Sequence, residues 1–480
     1  MGVDALEIVR TGLAGQHAWL VGGAVRDRVL DRPIADLDVV IDGDPGEGAR
    51  AIAQAARSAG EKTACFELSE EFGAWRVVAR EGSWQVDLER MRGGSLEADL
   101  ALRDFTVNAI AEPLAGGAQL DPLGGLADLR AGRLRLAGPA AFENDPLRVL
   151  RLVRAVVELD LKPEPQAIAA ARKQVALLRG VSPERIFLEL QRIIASSQAL
   201  RGLELMGDLG ATGVVFPELE AMRGVEQSRF HHRDVYGHTL EVLERAIALT
   251  AGDSPTVLGP EHSTQVLALL AEPLADGMTR GEALRWAAIL HDAAKPATRS
   301  VRTLDRRVTF IGHDALGADL ARDVLGRLRA SVRLREHVAG LVRHHLRLGF
   351  LVHEPQPLAR DTVFAYLRDC DPVEVDVTLL SVCDRLATRG AKAEEAIEAH
   401  IALARRMLGD ALRWRKDGPP KPLLRGDELA QELGIELGPR VGELLAQLAQ
   451  AQYIGEVVTR EQAVAFARLC GLRARTGSLR

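Results

Sequence analysis

Two aspartates one residue apart, Asp36 and Asp38, open the apolar run 37–41, LDVVI, which its β-branched content marks as a strand. Side chains alternate along a strand, so both carboxylates project from one face and can share hard cations such as magnesium. Two-metal phosphoryl chemistry needs that arrangement. Just upstream, a short apolar run ends in Gly22-Gly23 and a helix begins. Paired glycines let a backbone approach phosphate oxygens at a helix N-terminus, and Arg26 on the first turn adds a fork of donors. A glycine pair or an Asp-X-Asp alone is commonly a turn or a polar strand edge; in this order and spacing they point to phosphoryl transfer. Asp87, in the strand-like run WQVDL at 84–88, is a candidate third carboxylate.

Asp145, Arg148, Arg151 and Arg154 recur every three residues and so form a ribbon along one side of a helix. An acceptor-only carboxylate beside a guanidinium fork can meet the donor and acceptor edges of a nucleobase with no template strand. Leu147, Val149, Leu150, Leu152 and Val153 imply that the other faces are buried. The competing reading is a salt-bridged surface helix. Further on stand His231-His232, His238, His291-Asp292, His313, His344-His345 and Asp384, most of the chain's 12 histidines. Imidazoles with carboxylates suit transition-metal binding, against the alternative of a folded framework or an RNA platform that merely retains them.

These groups need a scaffold. The 480 residues, 47% hydrophobic, allow two to four domains. Strand-like runs at 17–21, 37–41, 74–79 and 84–88, with a helical run at 46–59, make the first third mixed α/β. From about Asp145 the pattern is almost wholly helical, with linkers expected at 248–260 and 416–422. The fold class is α+β, a sheet-bearing head followed by a helical body. No apolar run reaches membrane-spanning length and the N-terminus is unlike a signal peptide, so the expected place is cytoplasmic, without membrane association. Cys65, Cys370, Cys383 and Cys470 lie far apart and read as reduced thiols. Net charge is −6, so nucleic acid would have to be held by local basic patches, such as 322–347, 413–416 and the C-terminal Arg473, Arg475 and Arg480.

The head resembles the class II tRNA nucleotidyltransferase and bacterial poly(A) polymerase family, a branch of the polymerase-β-like nucleotidyltransferases. Besides the Gly-Gly and Asp-X-Asp blocks, residues 99–108 (DLALRDFTVN) resemble the family's sugar- and phosphate-contacting motif, 121–128 (DPLGGLAD) its hinge-like motif and 142–148 (FENDPLR) its base-reading motif. The likeness continues through 183–189 and into the tail at 424–472. It implies a nucleotidyltransferase head with a small mixed sheet (1–140), a helical neck for base reading and RNA binding (141–225), an HD phosphohydrolase-like domain (226–400) and a helical tail contacting tRNA (401–480). It also implies Mg2+ at Asp36 and Asp38, and tRNA, CTP and ATP as partners. Arg103, Asp104 and Asn108 would contact sugar and phosphates, Asp145 and Arg148 read the base, and Arg151 and Arg154 help hold the nucleotide. The order His, His-Asp, His-His, Asp resembles the HD superfamily, with His238, His291, Asp292 and Asp384 as ligands of a divalent metal and His313, His344 and His345 completing a second position. Relatives with this domain act on 2′,3′-cyclic phosphates, 2′-nucleotides or phosphates.

The chain departs from that family between Asp87 and Asp99, where only eleven residues stand in place of a longer flexible loop. That loop helps switch the pocket from CTP to ATP, and a short one resembles enzymes that add two cytidines and leave adenosine to a separate A-adding enzyme. A complete CCA-adding enzyme with a short loop is the alternative. Leu102 replaces the first arginine of the 99–108 block and Asn144 the usual acid before Asp145. Two further readings stay open: a poly(A) polymerase, and an enzyme that is primarily an HD phosphohydrolase acting on RNA ends or nucleotides.

Overall fold

The computed structural model describes residues 4–34, 36–69, 73–80, 82–227, 232–252, 257–389 and 393–476. His231 and Arg480, named above, lie outside them, as do the side chains of Arg473 and Arg475. The chain divides into two compact units, Met1–Val215 and Phe216–Arg480. The expected boundaries at 140 and 400 fall inside these units.

In the first unit a six-stranded sheet has the order β3-β4-β5-β2-β1-β6, with β1 Ala18–Val21, β2 Asp36–Ile41, β3 Thr63–Ser69, β4 Ala74–Ala79, β5 Gln85–Arg90 and β6 Ala111–Pro113. β2 is central, antiparallel to β1 and parallel to β5. Leu37, Val39, Val40 and Ile41 of β2 are buried while Asp36 and Asp38 stay exposed. A one-residue register slip would carry both aspartates into the core, so the hydrophobic pattern itself fixes where they point. Leu20, Val39, Ile41, Val77, Val86 and Leu88 pack with Ile8 and Val9 from α1 (Ala5–Gly12) and Ile52 from α3 (Pro45–Ser58). Asp44 caps α3 by accepting from the backbone N–H groups of Gly46 and Glu47, with Pro45 on the first turn. Between the strands, α2 (Gly23–Val29) starts directly after Gly22, and α4 (Leu96–Ala101) starts after Ser95, whose hydroxyl accepts from the Ala98 N–H. Helices Arg148–Leu159, Pro183–Ala195 and Ala199–Leu209 are the longest of those that follow in this unit.

The second unit is mainly helical. Its central helix, Arg280–Leu290, is buried along nearly its whole length and opens with a capping box between Thr279 and Glu282. That burial places His291 and Asp292, which follow it directly, deep in the unit. Helices Val235–Thr250, His313–Arg327, Val332–His344 and Glu374–Leu386 carry His238, His313, His344 and Asp384, and His345 directly follows the third of them. Between the central helix and His313 stands a small hairpin, Ser300–Val301 paired antiparallel with Val308–Thr309. The last helices, Gly426–Leu433, Pro439–Ile454 and Arg460–Thr476, share a core of Leu429, Leu444, Leu448 and Ala463. No described helix is long and apolar enough to cross a membrane. All four cysteines are free, and burial pushes the Cys370 and Cys383 thiols up to about 12.

Candidate functional site

Gly22 links β1 to α2 at φ +70° and ψ −136°, a conformation that only glycine adopts without strain. A Cβ there would lie 3.0 Å from Arg103 Nη1 and 3.2 Å from Asp38 Oδ2, so glycine, guanidinium and carboxylate meet at one point. Arg103 is steered by Asp99, a fully buried acid that accepts from Arg103 Nη2 at 3.4 Å and from Arg92 Nε at 2.8 Å. Asp38 and Asp87 are register partners across the β2–β5 pair. Asp87, however, is engaged by Arg76 of β4 in a two-point pair, Nε to Oδ1 and Nη2 to Oδ2, each 2.7 Å. Asp36 and Asp38 therefore form the open carboxylate pair and Asp87 stands beside it, neutralised. The Asp38 carboxyl is pushed up to about 6: enclosure by protein is the largest cause, Arg103 opposes it, and Asp87, Glu89 and Asp36 add like charge. Asp38 still meets solvent, so water screens part of this effect. A wetted, crowded pair of acids is the donor set that attracts a hard divalent cation.

A second line of contacts runs from the glycine turn toward the helices. Arg26 donates from Nη1 to Asn108 Oδ1 at 2.6 Å while its Nε and Nη2 grip Asp27. Asn108 Nδ2 donates to Asp104 Oδ1 at 2.9 Å, and Asp104 Oδ2 lies 3.8 Å from Arg151 Nη1. Glu189 then bridges Arg151 Nε (3.3 Å) and Arg154 Nε (3.0 Å). Desolvation would raise the Asp104 carboxyl, but Arg151 and Asn108 hold it below its ordinary value. Arg26, Asn108, Asp104, Arg151 and Arg154 are thus one connected polar chain.

The other two ribbon residues are placed differently. Arg148 is buried, and its fork donates to the carbonyls of Leu102 (2.8 Å), Arg103 (3.2 Å) and Ala141 (3.0 Å). Asp145 precedes the helix rather than lying on it and accepts from Arg185 Nη2 at 2.7 Å. The ribbon of four is therefore three arginines on the Arg148–Leu159 helix plus a carboxylate at its entrance. Asp99, Arg185 and Glu189 stand in the sequence blocks 99–108 and 183–189, but nothing local shows which residues they orient, and Arg76 carries no local signal: each acts on a partner brought close by the fold.

In the second unit, His238 Nε2 lies 3.0 Å from Asp384 Oδ1 and 3.8 Å from Asp292 Oδ2. His291 Nε2 lies 3.1 Å from Asp292 Oδ2, and His313 and His345 approach Asp292 Oδ1 at 3.4 and 4.0 Å. Two groups that could hold a metal ion share Asp292: His238, His291 and Asp292, and Asp292, His313 and His345. His291, His313 and His345 each engage a backbone carbonyl through Nδ1, those of Ala288, Phe310 and Val342. Nδ1–H donation leaves the Nε2 lone pair facing Asp292, the tautomer a metal ligand needs. Apart from their approach to Asp292, the buried Nε2 atoms of His291 and His313 have no hydrogen-bond partner among the described residues, a cost that a bound cation would remove. Desolvation would raise Asp292, yet His291 and Lys295 hold it well below the ordinary carboxylate range. Desolvation and then His291 push the His345 imidazole down to about 4, keeping it neutral. Lys295, unremarked in the sequence, puts Nζ 2.6 Å from Asp292 Oδ2. His344 belongs to neither ligand group; burial and then Arg347 and Arg343 lower its pKa. Neighbours on a helix point roughly 100° apart, so only one member of the His344-His345 doublet faces the cluster.

Residues 18–135 match the family model described as the poly A polymerase head domain, 160–223 the probable RNA and SrmB-binding site of polymerase A, and 260–389 the HD domain. The chain is 37% identical over 455 residues to the A-adding tRNA nucleotidyltransferase of Deinococcus radiodurans, covering 94% of both chains. It is 34% identical over 459 residues to the CC-adding tRNA nucleotidyltransferase of Thermus thermophilus, covering 94% of this chain and 93% of the other. Among solved structures, a CCA-adding enzyme in complex with CTP superposes with a TM-score of 0.59 at 18% identity, covering 98% of this chain and 96% of that one, a likeness of fold.

Proposed function

The chain belongs to the CCA-adding family of tRNA nucleotidyltransferases, and on that premise we propose that it is a cytoplasmic enzyme that extends the tRNA 3′ end by two cytidines, leaving adenosine to a separate enzyme. The observation that carries this reading is the connection from β5, which ends at Arg90, to α4, which starts at Leu96: only five residues, 91–95, join them. So short a link leaves no loop able to reshape the pocket for ATP after CTP. The A-adding name of the Deinococcus relative favours a second reading, in which AMP is transferred as well or instead.

Asp36 and Asp38 would hold magnesium, which supplies activation of the attacking 3′-hydroxyl and neutralisation of the triphosphate. The chain's own part is positioning. Gly22 brings the backbone and the start of α2 close to the phosphates, and Arg103, tethered by Asp99, stands beside them as a fixed cation. Asp87 is a third acid held in reserve by Arg76. Arg26, Asn108, Asp104, Arg151 and Arg154 tie the phosphate end of the pocket to the helix that borders the base. For Asp145 and Arg148 to read cytosine, Asp145 exchanges Arg185 for the base and Arg148 gives up carbonyl contacts. In the second unit His238, His291, Asp292 and Asp384 would bind a divalent metal, with His313 and His345 on its second side, and support hydrolysis of phosphate esters at RNA ends.

The test is product length. Purified protein is given tRNA lacking all three terminal nucleotides, or tRNA ending in two cytidines, with CTP, ATP or both. Growth by two cytidines and no adenosine on either substrate supports the proposal; adenosine joined to the second substrate moves the assignment to the second reading.

A further inference from the structure

Nine consecutive residues, 299–307 (RSVRTLDRR), carry four arginines against one acid, a local charge of +3 in a chain whose total is −6. All nine are exposed. They form the outer part of the Ser300–Val301 and Val308–Thr309 hairpin, whose turn is closed by the Arg302 N–H on the Arg307 carbonyl and the Arg306 N–H on the Arg302 carbonyl, both 2.9 Å. Asp305 pairs with Arg302 and, at 3.1 Å, with Arg307, holding two guanidinium forks around the turn. Arg306 makes no ion pair among the described residues. Arg299 has one long contact, 3.8 Å, to Glu226. Leu304 at the tip is 91% exposed and Ile311 at the base 87% exposed, which leaves apolar surface beside the cations.

The hairpin's position gives this charge a purpose. It leaves the chain seven residues after Asp292 and returns six residues before His313, so the backbones of Arg299, Arg306 and Arg307 stand within roughly 25 Å of the histidine–aspartate cluster at most. Where it returns, the Phe310 ring lies 5.4 Å from Lys295 Nζ, which itself touches Asp292. His238, His291, Asp292 and His345 are essentially fully buried. A centre so enclosed has no room for a duplex, so an RNA substrate would have to be a thin single-stranded end.

We propose that the 299–307 hairpin grips the phosphate backbone of a single-stranded RNA end and holds it at the entrance of the histidine–aspartate cluster. Guanidinium forks suit phosphodiester oxygens, and Leu304 and Ile311 offer apolar surface to a sugar or base face. The direction of the strand toward the cluster rests on reading that cluster as a phosphohydrolase centre; the grip itself does not.

The experiment uses the full chain and a short oligouridylate bearing 4-thiouridine and a 3′-phosphate, cross-linked by light and mapped by mass spectrometry. Cross-links are expected within 299–311. The triple variant Arg302→Ala, Arg306→Ala, Arg307→Ala should lose at least about fivefold of that signal, and its binding should lose about two units of slope against log salt, near 0.7 per phosphate contact. CMP transfer to tRNA, carried by the first unit, should stay within about twofold of the wild type. Absence of hairpin cross-links, or an unchanged signal in the triple variant, overturns the proposal. Equal competition by polyglutamate of matched charge overturns it in favour of an acidic protein partner. Loss of CMP transfer by the wild type would instead strike the proposed function and leave the cross-link result standing.

Discussion

Replacing Gly22 with alanine tests whether the first unit's site is assembled as described. At φ +70° and ψ −136° an L-residue sits in a region that costs about 1–3 kcal/mol. The new Cβ would also stand 3.0 Å from Arg103 Nη1 and 3.2 Å from Asp38 Oδ2, closer than ordinary contact, so both groups must shift by a few tenths of an ångström. Spread over a unit of this size the strain lowers its melting temperature by roughly 2–12 °C. A displaced carboxylate and cation should slow CMP transfer by about tenfold to a hundredfold, since small misplacements at a reacting centre are expensive. Gly23→Ala is the control: its φ is ordinary for a helix and its Cβ would meet only the flexible end of Arg26 at 3.4 Å, so stability should change by less than about 0.5 kcal/mol. Differential scanning fluorimetry and single-turnover transfer from labelled CTP read both effects. If Gly22→Ala melts and transfers like the wild type, the close approach of Gly22, Arg103 and Asp38 is not how the site is built.

Other expectations divide between the two units. Arg148→Met should destabilise the first unit by about 2–4 kcal/mol in urea melts, because it strands the carbonyls of Leu102, Arg103 and Ala141; unchanged stability with a raised KM for CTP would make Arg148 chiefly a base reader. Burial pushes the Glu374 carboxyl from 4.5 up to about 7, so the folded state holds a proton that the unfolded chain releases. That contribution is fully present below pH 4.5 and lost as pH rises through 7, and Glu374→Gln should flatten a fall of up to about 3 kcal/mol across this window. Isothermal titration with Mn2+ should find, beyond any binding at Asp36 and Asp38, a second binding event that His291→Ala abolishes while CMP transfer stays within about twofold; an undiminished second event would remove His291 from the ligand set.

Much of the scaffold was legible because it depends on local patterning. The run 74–79 is β4 to the residue, 37–41 lies within β2, 84–88 overlaps β5 but starts one residue early and stops two short, and the helical run at 46–59 is α3 displaced by one residue. β3 escaped notice because it is an edge strand with Phe66 and Leu68 exposed, which erases the alternation that marks a half-buried strand, and β6 is only three residues long. Residue types at the sites were also legible, but their partners were not. Two of the three carbonyls that hold the Arg148 fork lie about 45 residues earlier in sequence, and Arg76 meets Asp87 only through the β4–β5 register. Three-residue spacing suggested one ribbon from Asp145 to Arg154, yet Asp145 stands ahead of the helix, in extended conformation after Asn144. Likewise the adjacent His344 and His345 looked equivalent, and only the path of the Val332–His344 helix decides which one turns inward.

The most direct test of the account is transfer of CMP by Asp36→Asn and Asp38→Asn, which keep the shape of each side chain and remove the negative charge a metal would use. Measured in single turnover on tRNA lacking its terminal nucleotides, each should lose about a thousandfold or more in rate, roughly 4 kcal/mol of barrier, while tRNA affinity stays within about threefold. Transfer at the wild-type rate by either variant would contradict the assignment of this carboxylate pair as the catalytic centre.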